Sequence, residues 1–510
     1  MADSPQSLID LRSKLKQIHH LRDAAALLSW DQETYMPYGG GEARADQIAT
    51  LQTLAHQQFV SPDIADWLAE LIDPVTGLVH KHLASWDEST KAFVRETWRD
   101  FSKAKKLPSE FVNRLERECS LAQQVWVEAR ERNDFAHFLP HLRAIVALKH
   151  EEVQYRGFTD SPYNALLDTY EPGATVADLK PLFTALREGL TTILQQINSA
   201  ASKPDDRILY QAYDQEKQIA FSKRVLTGMG YDFHRGRLDL SAHPFTTSFH
   251  PTDVRVTTRV FEKDLPSCLF SAIHEGGHAI YDQGLPQEHY GTPLGESISL
   301  GIHESQSRLW ENCVGRSSAF WQHFFPLLQE TFPEQLGAIS LHEFYAAINT
   351  VKPSLIRVEA DEVTYNLHIM VRFEIELDLM EGRVQVEDLP ALWNAKMQEY
   401  LGIVPERDAE GVLQDVHWSF GAIGYFPTYT LGNLYAAMLY QQAKTDMPEL
   451  EKQIAQGNLL PLKEWLNQKI HRWGRQWQAQ ELIQRITGKS LEAQPFLQSL
   501  RQKMQGVYGI

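Results

Sequence analysis

SCLFSAIHEGGHAIYDQG, residues 267–284, holds the pattern H-E-x-x-H at His274, Glu275 and His278. The apolar residues Leu269, Phe270, Ile273, Ala279 and Ile280 recur around it at helical spacing, which predicts a half-buried helix. On a helix, residues four apart share a face, so both imidazoles point at one spot and can hold one metal ion. Glu275, one position on, stands close enough to hold a water there. Zinc hydrolases that attack a peptide carbonyl use this arrangement. Two imidazoles and a carboxylate among apolar neighbours are costly to bury without a partner, and a metal supplies one. Gly276-Gly277 is unfavourable in mid-helix by about 1 kcal/mol per glycine relative to alanine. It predicts close approach of a substrate or a neighbouring helix.

A catalytic zinc needs a third protein ligand and an open position for water. The extended metzincin pattern fails, with Tyr281 where its glycine belongs and Gly284 where its third histidine belongs. The ligand therefore comes from a later element, and Glu288, His289, Glu296, His303 and Glu304 are in range. The segment SISLGIHESQSRLWENC reads as a helix with His303 and Glu304 in its middle. Spacing does not choose between these two, although charge balance leans towards Glu304. Asp282, one turn beyond His278, could orient a ligand from behind or be a solvated helix residue. Cys268 and Cys313 flank the region, but lone cysteines are more often small buried hydrophobes than ligands.

Outside this region helical periodicity dominates the first 230 residues, with Leu8, Leu11, Leu15, Ile18 and Leu21 as its first stripe. From Tyr231 to about 262, Thr and Val alternate with polar residues, which predicts a hairpin or small sheet just before the metal helix. After Pro353, SLIRVEADEVTYNLHIMVRFEIELDLM reads as one long helix. Residues 411–436, rich in glycine and aromatics, read as a functional loop. No repeat or linker divides the chain, so residues 1–510 are expected to form a single peptidase domain, mainly α, in two lobes around a cleft, with a small β-sheet near the active site. A net charge of -17 argues against a nucleic-acid partner, which would need a basic face. No run of residues is apolar enough to span a membrane. Three scattered cysteines and a polar N-terminus without a signal-peptide core point to the cytoplasm.

Further motifs lie along most of the chain: His243-Pro244-Phe245, Asp253-Val254-Arg255-Val256-Thr257, His303-Glu304-Ser305-Gln306, Ile356-Arg357-Val358-Glu359-Ala360-Asp361, and Gly411 to Trp418 as GVLQDVHW. With the zinc motif, and with SWDQETYMP and YNALLDTYEPG, this set resembles the M32 family of metallocarboxypeptidases. The resemblance implies a helical zinc-peptidase fold with a deep cleft, a homodimer, and removal of single C-terminal residues from peptides with broad preference. It implies His274, His278 and Glu304 as zinc ligands and Glu275 as general base.

Chemistry suggests the remaining roles. His417 and Tyr425 are candidate donors to the oxyanion, each with a packed core residue as the alternative. A free C-terminal carboxylate suits the planar fork of arginine. Arg357 is the first candidate, braced by Asp361 on the same helix face, and Arg255 the second; either could instead be a plain salt bridge or sheet packing. A His₂Glu set also accepts Co²⁺ or Mn²⁺. The nearest rival function is a zinc endo- or oligopeptidase with a groove open at both ends. A more distant one is a helical interaction protein with a structural metal.

Overall fold

The computed structural model describes residues 5–510; the first four residues of the polar N-terminal stretch lie outside the described residues. Helix α1 (Gln6–Thr34) buries Leu8, Leu11, Leu15 and Ile18, the stripe read from the sequence. With α2 (Gly41–Phe59), α3 (Pro62–Leu71) and α4 (Glu88–Lys105) it encloses a core of its own, to which Leu294 is the one contributor from further along the chain. Buried side chains from Cys119 to Tyr508 share a second, larger core. The seam between the two is rich in charge. Arg475 pairs with Asp100 of α4 at 2.7 Å, Arg99 and Lys103 both pair with Asp168, and the Tyr290 hydroxyl donates to Asp23 of α1. Among the described residues no helix is long and apolar enough to cross a membrane.

Helix α5 (Gln215–Met229) leads into a three-stranded sheet of β1 (Leu238–Leu240), β2 (Thr246–His250) and β3 (Asp253–Thr258). Strand β3 is central, parallel to β1 and antiparallel to β2, with Thr246 opposite Val256 and Thr247 opposite Arg255. β-branched residues dominate the central strand β3, as their crowded Cβ favours. The Thr–Val alternation thus becomes a sheet directly before the metal helix, as expected.

Helix α6 (Leu265–Gly284) carries the H-E-x-x-H motif. Asp264 caps it by accepting from the Ser267 N–H, and Pro266 in its first turn removes an amide that would have had no partner. Helix α7 (Leu300–Arg308) follows, capped by Ser299 on the Ile302 N–H, and continues as a π-helical turn over 309–315. Helix α8 (Tyr365–Met380) and α9 (Pro427–Asp446) complete the scaffold of the site.

Two sequence readings change. The helix expected from Pro353 begins only at Tyr365, because Asp361 binds the Val363 and Thr364 N–H groups in a local turn, and only a 3₁₀ turn forms at Arg357–Glu359. The glycine- and aromatic-rich loop ends at Phe426, where Pro427 starts α9.

The Gly276-Gly277 pair now has its reason. A Cβ at Gly277 would lie 2.7 Å from the Gln306 oxygen and from the Ser307 Cα, both backbone of α7. A Cβ at Gly276 would meet the Leu226 side chain of α5 at 2.3 Å. The two should therefore respond differently to alanine. Gly277→Ala must push helix backbones apart and is expected to cost about 1–3 kcal/mol and to weaken metal retention. Gly276→Ala meets a side chain that can rotate, so its cost should be smaller. Thermal melting and metal content of the two variants check this.

Candidate active site

Helices α6 and α7 bring three ligand atoms together. His274, His278 and Glu304 form the group among the described residues that could hold a metal ion, with one ligand atom from each lying within 4.8 Å of the others. Glu304 Oε2 stands 3.3 Å from His278 Nε2 and 3.6 Å from His274 Nε2. Donors about 2.0–2.2 Å from a tetrahedral zinc lie about 3.3–3.5 Å apart, so the residues present fit such an ion.

The supports behind these ligands differ. His274 Nδ1 lies 2.8 Å from Glu311 Oε2, which fixes the ring and turns Nε2 to the site. Among the described residues His278 Nδ1 has no hydrogen-bond partner; its ring is stacked on His303 at 4.4 Å. The Arg308 Nε donates to Glu304 Oε1 at 2.7 Å, leaving Oε2 for the histidine side. Burial alone would raise the Glu304 carboxyl, but Arg308 and His274 outweigh it and hold the group well below the usual carboxylate range. Glu311, also buried, is brought down to about 2 by its bond to His274 and by Arg308.

His303 turns away to Asp282, with Nε2 3.0 Å from Oδ1. Of His303 and Glu304 it is Glu304 that the structure sets beside His274 and His278, and Asp282 steadies His303, the residue stacked on His278. Cys268 lies buried beside Ser222, and neither it nor Cys313 belongs to the ligand group. Glu275 is buried, and its carboxylate accepts from the Thr246 hydroxyl of β2 at 2.7 Å.

The loop before α9 supplies a second cluster. His417 Nε2 lies 3.2 Å from the Tyr429 hydroxyl, and the ring of Tyr425 is 5.3 Å from those of both His417 and Tyr429. Burial pushes His417 down to about 3, against the pull of Asp415, so its imidazole is neutral. Burial, then the charge of Glu304, pushes Tyr425 up to about 12, so it keeps its proton as a donor.

Both candidate arginines have partners that the sequence did not name. Arg357 is gripped by Asp415 through Nε at 3.0 Å and Nη2 at 2.7 Å, and its Nη1 donates to the Tyr365 hydroxyl. Asp361, expected to brace it, is spent on its own turn and on the Lys352 N–H. The other oxygen of Asp415 accepts from Arg372. Arg255 is held by both oxygens of Asp253 and stacks over Trp30 of α1 and over Phe249. It is thus a strut between sheet and α1. His243 is exposed at the sheet's edge.

Glu311, Arg308, Tyr429, Asp415 and Thr246 escaped the sequence reading. No spacing rule would have reached Glu311, because a π turn shifts its register. A cleft of about 710 Å³ opens beside the site, lined by Ile18 and Arg22 of α1, Lys103 of α4, Ser248 of β2, and Asp282 and His303.

Two histidines one turn apart on one helix, with a carboxylate from the next helix and a second beside them, make this a metal-dependent hydrolase site at the edge of a cleft. The family model described as carboxypeptidase Taq (M32) metallopeptidase matches residues 10–504, and the chain belongs to that family of metallocarboxypeptidases, which are peptide hydrolases. It is 44% identical over 513 residues to thermostable carboxypeptidase 1 of Thermus thermophilus, covering 99% of each chain. It is 42% identical to carboxypeptidase 1 of Bacillus subtilis over 97% of each. Its fold superposes on the crystal structure of an M32 carboxypeptidase from Deinococcus radiodurans with a TM-score of 0.94 at 38% identity, covering 99% of this chain and 100% of that one. Membership implies a divalent metal.

Glu171 ties the start of α7 in place. Its Oε2 accepts from the Gly301 N–H at 3.0 Å and its Oε1 from the Tyr435 hydroxyl at 3.0 Å. Complete burial pushes its carboxyl from 4.5 up to about 7, its hydrogen bonds only partly opposing this. Between about pH 4.5 and 7 the folded chain therefore keeps a proton that the unfolded chain releases, so this group's contribution to stability falls as pH rises through that window. The loss is on the order of a few kcal/mol. Glu171→Gln can keep both hydrogen bonds without a charge, so its melting temperature should drop less than the wild type's between pH 5 and pH 8.

Proposed function

We propose that the protein is a zinc-dependent carboxypeptidase that releases single C-terminal residues from peptides with broad preference, using Glu275 as general base. The observation that carries this reading is the convergence of His274, His278 and Glu304, with Glu275 next in sequence to His274 on the same helix, beside the cleft that Asp282 and His303 line. A bound zinc ion would supply Lewis acidity, lowering the pKa of a water to about 7 and polarising the scissile carbonyl. Cobalt or manganese could stand in for it. Glu275 takes the proton of the attacking water and passes it to the leaving amine. Tyr425, which stays protonated, donates to the oxygen on which negative charge develops, and His417 steadies the tyrosine cluster through Tyr429.

The sheet offers the peptide backbone a place. Thr257 N–H bonds to the Phe245 carbonyl, so on an antiparallel ladder Thr247 is the next β2 residue to face β3. Thr246 and Ser248 then turn their N–H and C=O groups to the open edge, where an extended peptide can add as a further strand. Recognition of the free carboxylate falls to Arg357. Three of its five N–H groups are engaged, which leaves two, and Asp415 neutralises only one of the two arginines it joins. That end of the site therefore keeps a positive charge. Arg255 also has N–H groups to spare, but Asp253 balances its charge alone. We further propose one peptidase unit in two lobes, acting as a homodimer in the cytoplasm, on the strength of the family resemblance and the sparse cysteines.

Three measurements test the reading. A peptide with a free C-terminus should shorten by single residues in mass spectrometry while its C-terminally amidated form stays intact; equal cleavage of both would favour an endopeptidase. Glu275→Gln should keep its metal and lose at least about 100-fold in kcat. Tyr425→Phe should lose about 10- to 100-fold in kcat with metal content unchanged.

A further inference from the structure

The Glu275 carboxylate has one hydrogen-bonding neighbour among the described residues, and it is not on the metal helix. The Thr246 hydroxyl, at the start of β2, lies 2.7 Å from Glu275 Oε2 and 2.9 Å from the Glu275 main-chain oxygen. Strand pairing holds Thr246 in register opposite Val256, which is fully buried, so the hydroxyl sits on a rigid element. A β-branched side chain in a strand also has few χ1 choices.

A threonine hydroxyl has one proton and two lone pairs. It can donate to only one of its two neighbours at a time, yet both are oxygens within reach. While Glu275 is a carboxylate, the proton points to Oε2 and the hydroxyl holds that oxygen. The proton taken from water goes to the other carboxylate oxygen, Oε1, so Oε2 goes on accepting from the hydroxyl. Glu275 thus keeps this partner throughout, and Thr246 neither gains nor loses a proton.

We infer that Thr246 is a positioning residue for proton transfer, a hydroxyl on β2 that holds Glu275 Oε2 and so keeps the other carboxylate oxygen aimed at the metal site. The inference rests on Glu275 being the general base. Without the hydroxyl the carboxylate would be free to swing, and a base displaced by about 1 Å can cost on the order of 100-fold in rate.

The test compares Thr246→Val, Thr246→Ser, Glu275→Gln and the double variant Thr246→Val with Glu275→Gln, reading kcat, KM, metal content and melting temperature. Thr246→Val keeps the shape and should lose about 10- to 100-fold in kcat with KM, metal content and melting temperature unchanged. Thr246→Ser, which keeps the hydroxyl, should stay within about threefold of wild type. The double variant should be no slower than Glu275→Gln alone, since a hydroxyl with no base to aim contributes nothing. A valine variant at wild-type kcat overturns the inference. So does one whose metal content or melting temperature falls along with kcat, because that marks a packing role. An active Glu275→Gln enzyme instead sinks the general-base reading itself, a different result from an inactive Glu275→Gln beside a fully active valine variant.

Discussion

Helices usually pack about 8–10 Å apart, side chain against side chain, and come closer only where one of them has no Cβ. Around Glu304 this happens twice. Gly277 lets α6 rest on the backbone of α7 at Gln306 and Ser307, and a Cβ at Gly432 of α9 would lie 2.4 Å from the Glu304 Cγ. Helix α7 is thus clamped between two glycine contacts, one on each neighbour. The clamp sets how far Glu304 stands from His274 and His278, and so fixes the size of the ion the three can share. The sheet and the C-terminal helices can be understood as what holds these three axes in place.

A second constraint is charge. A carboxylate removed from water costs several kcal/mol unless it is paired and hydrogen-bonded. Glu304 meets this cost through Arg308, and Arg308 also reaches Glu311 at 3.3 Å, which in turn holds His274. The circuit Glu304–Arg308–Glu311–His274 ties a ligand on α7 to a ligand on α6 without passing through the metal position. At the far end Asp415 plays a similar part for Arg357 and Arg372. The first cluster is balanced, since Arg316 also reaches Glu311, whereas at Asp415 two guanidinium groups share one carboxylate and a positive charge remains.

Much of this was legible in the residues. The helical stripes, the strands before the metal helix and the H-E-x-x-H face all follow from period and local chemistry, and they return in α1, β1–β3 and α6. The third ligand was within range but not unique, since His303 and Glu304 are neighbours whose orientation depends on how α7 is rotated against α6. That rotation is tertiary information. So is the grip of Asp415 on Arg357, fifty-eight residues away, which displaced the closer and more obvious Asp361. The helix expected after Pro353 failed for a local reason: Asp361 can serve backbone amides as readily as a guanidinium, and the amides were nearer. Thr246 carried no signal, being one threonine in a threonine-rich strand until the fold set it against Glu275.

The buried circuit through Arg308 has a bearing on how the protein acquires its ion. Small zinc domains fold only when metal draws their ligands together. Here a guanidinium balances the Glu304 carboxylate and a carboxylate orients the His274 imidazole, so the chain itself supplies much of what the ion does in those domains. The geometry of the site is written into the fold rather than imposed by the metal. Since a site of two imidazoles and one carboxylate discriminates only modestly among first-row divalent metals, the ion found in it will record the supply in its surroundings as much as the preference of the protein.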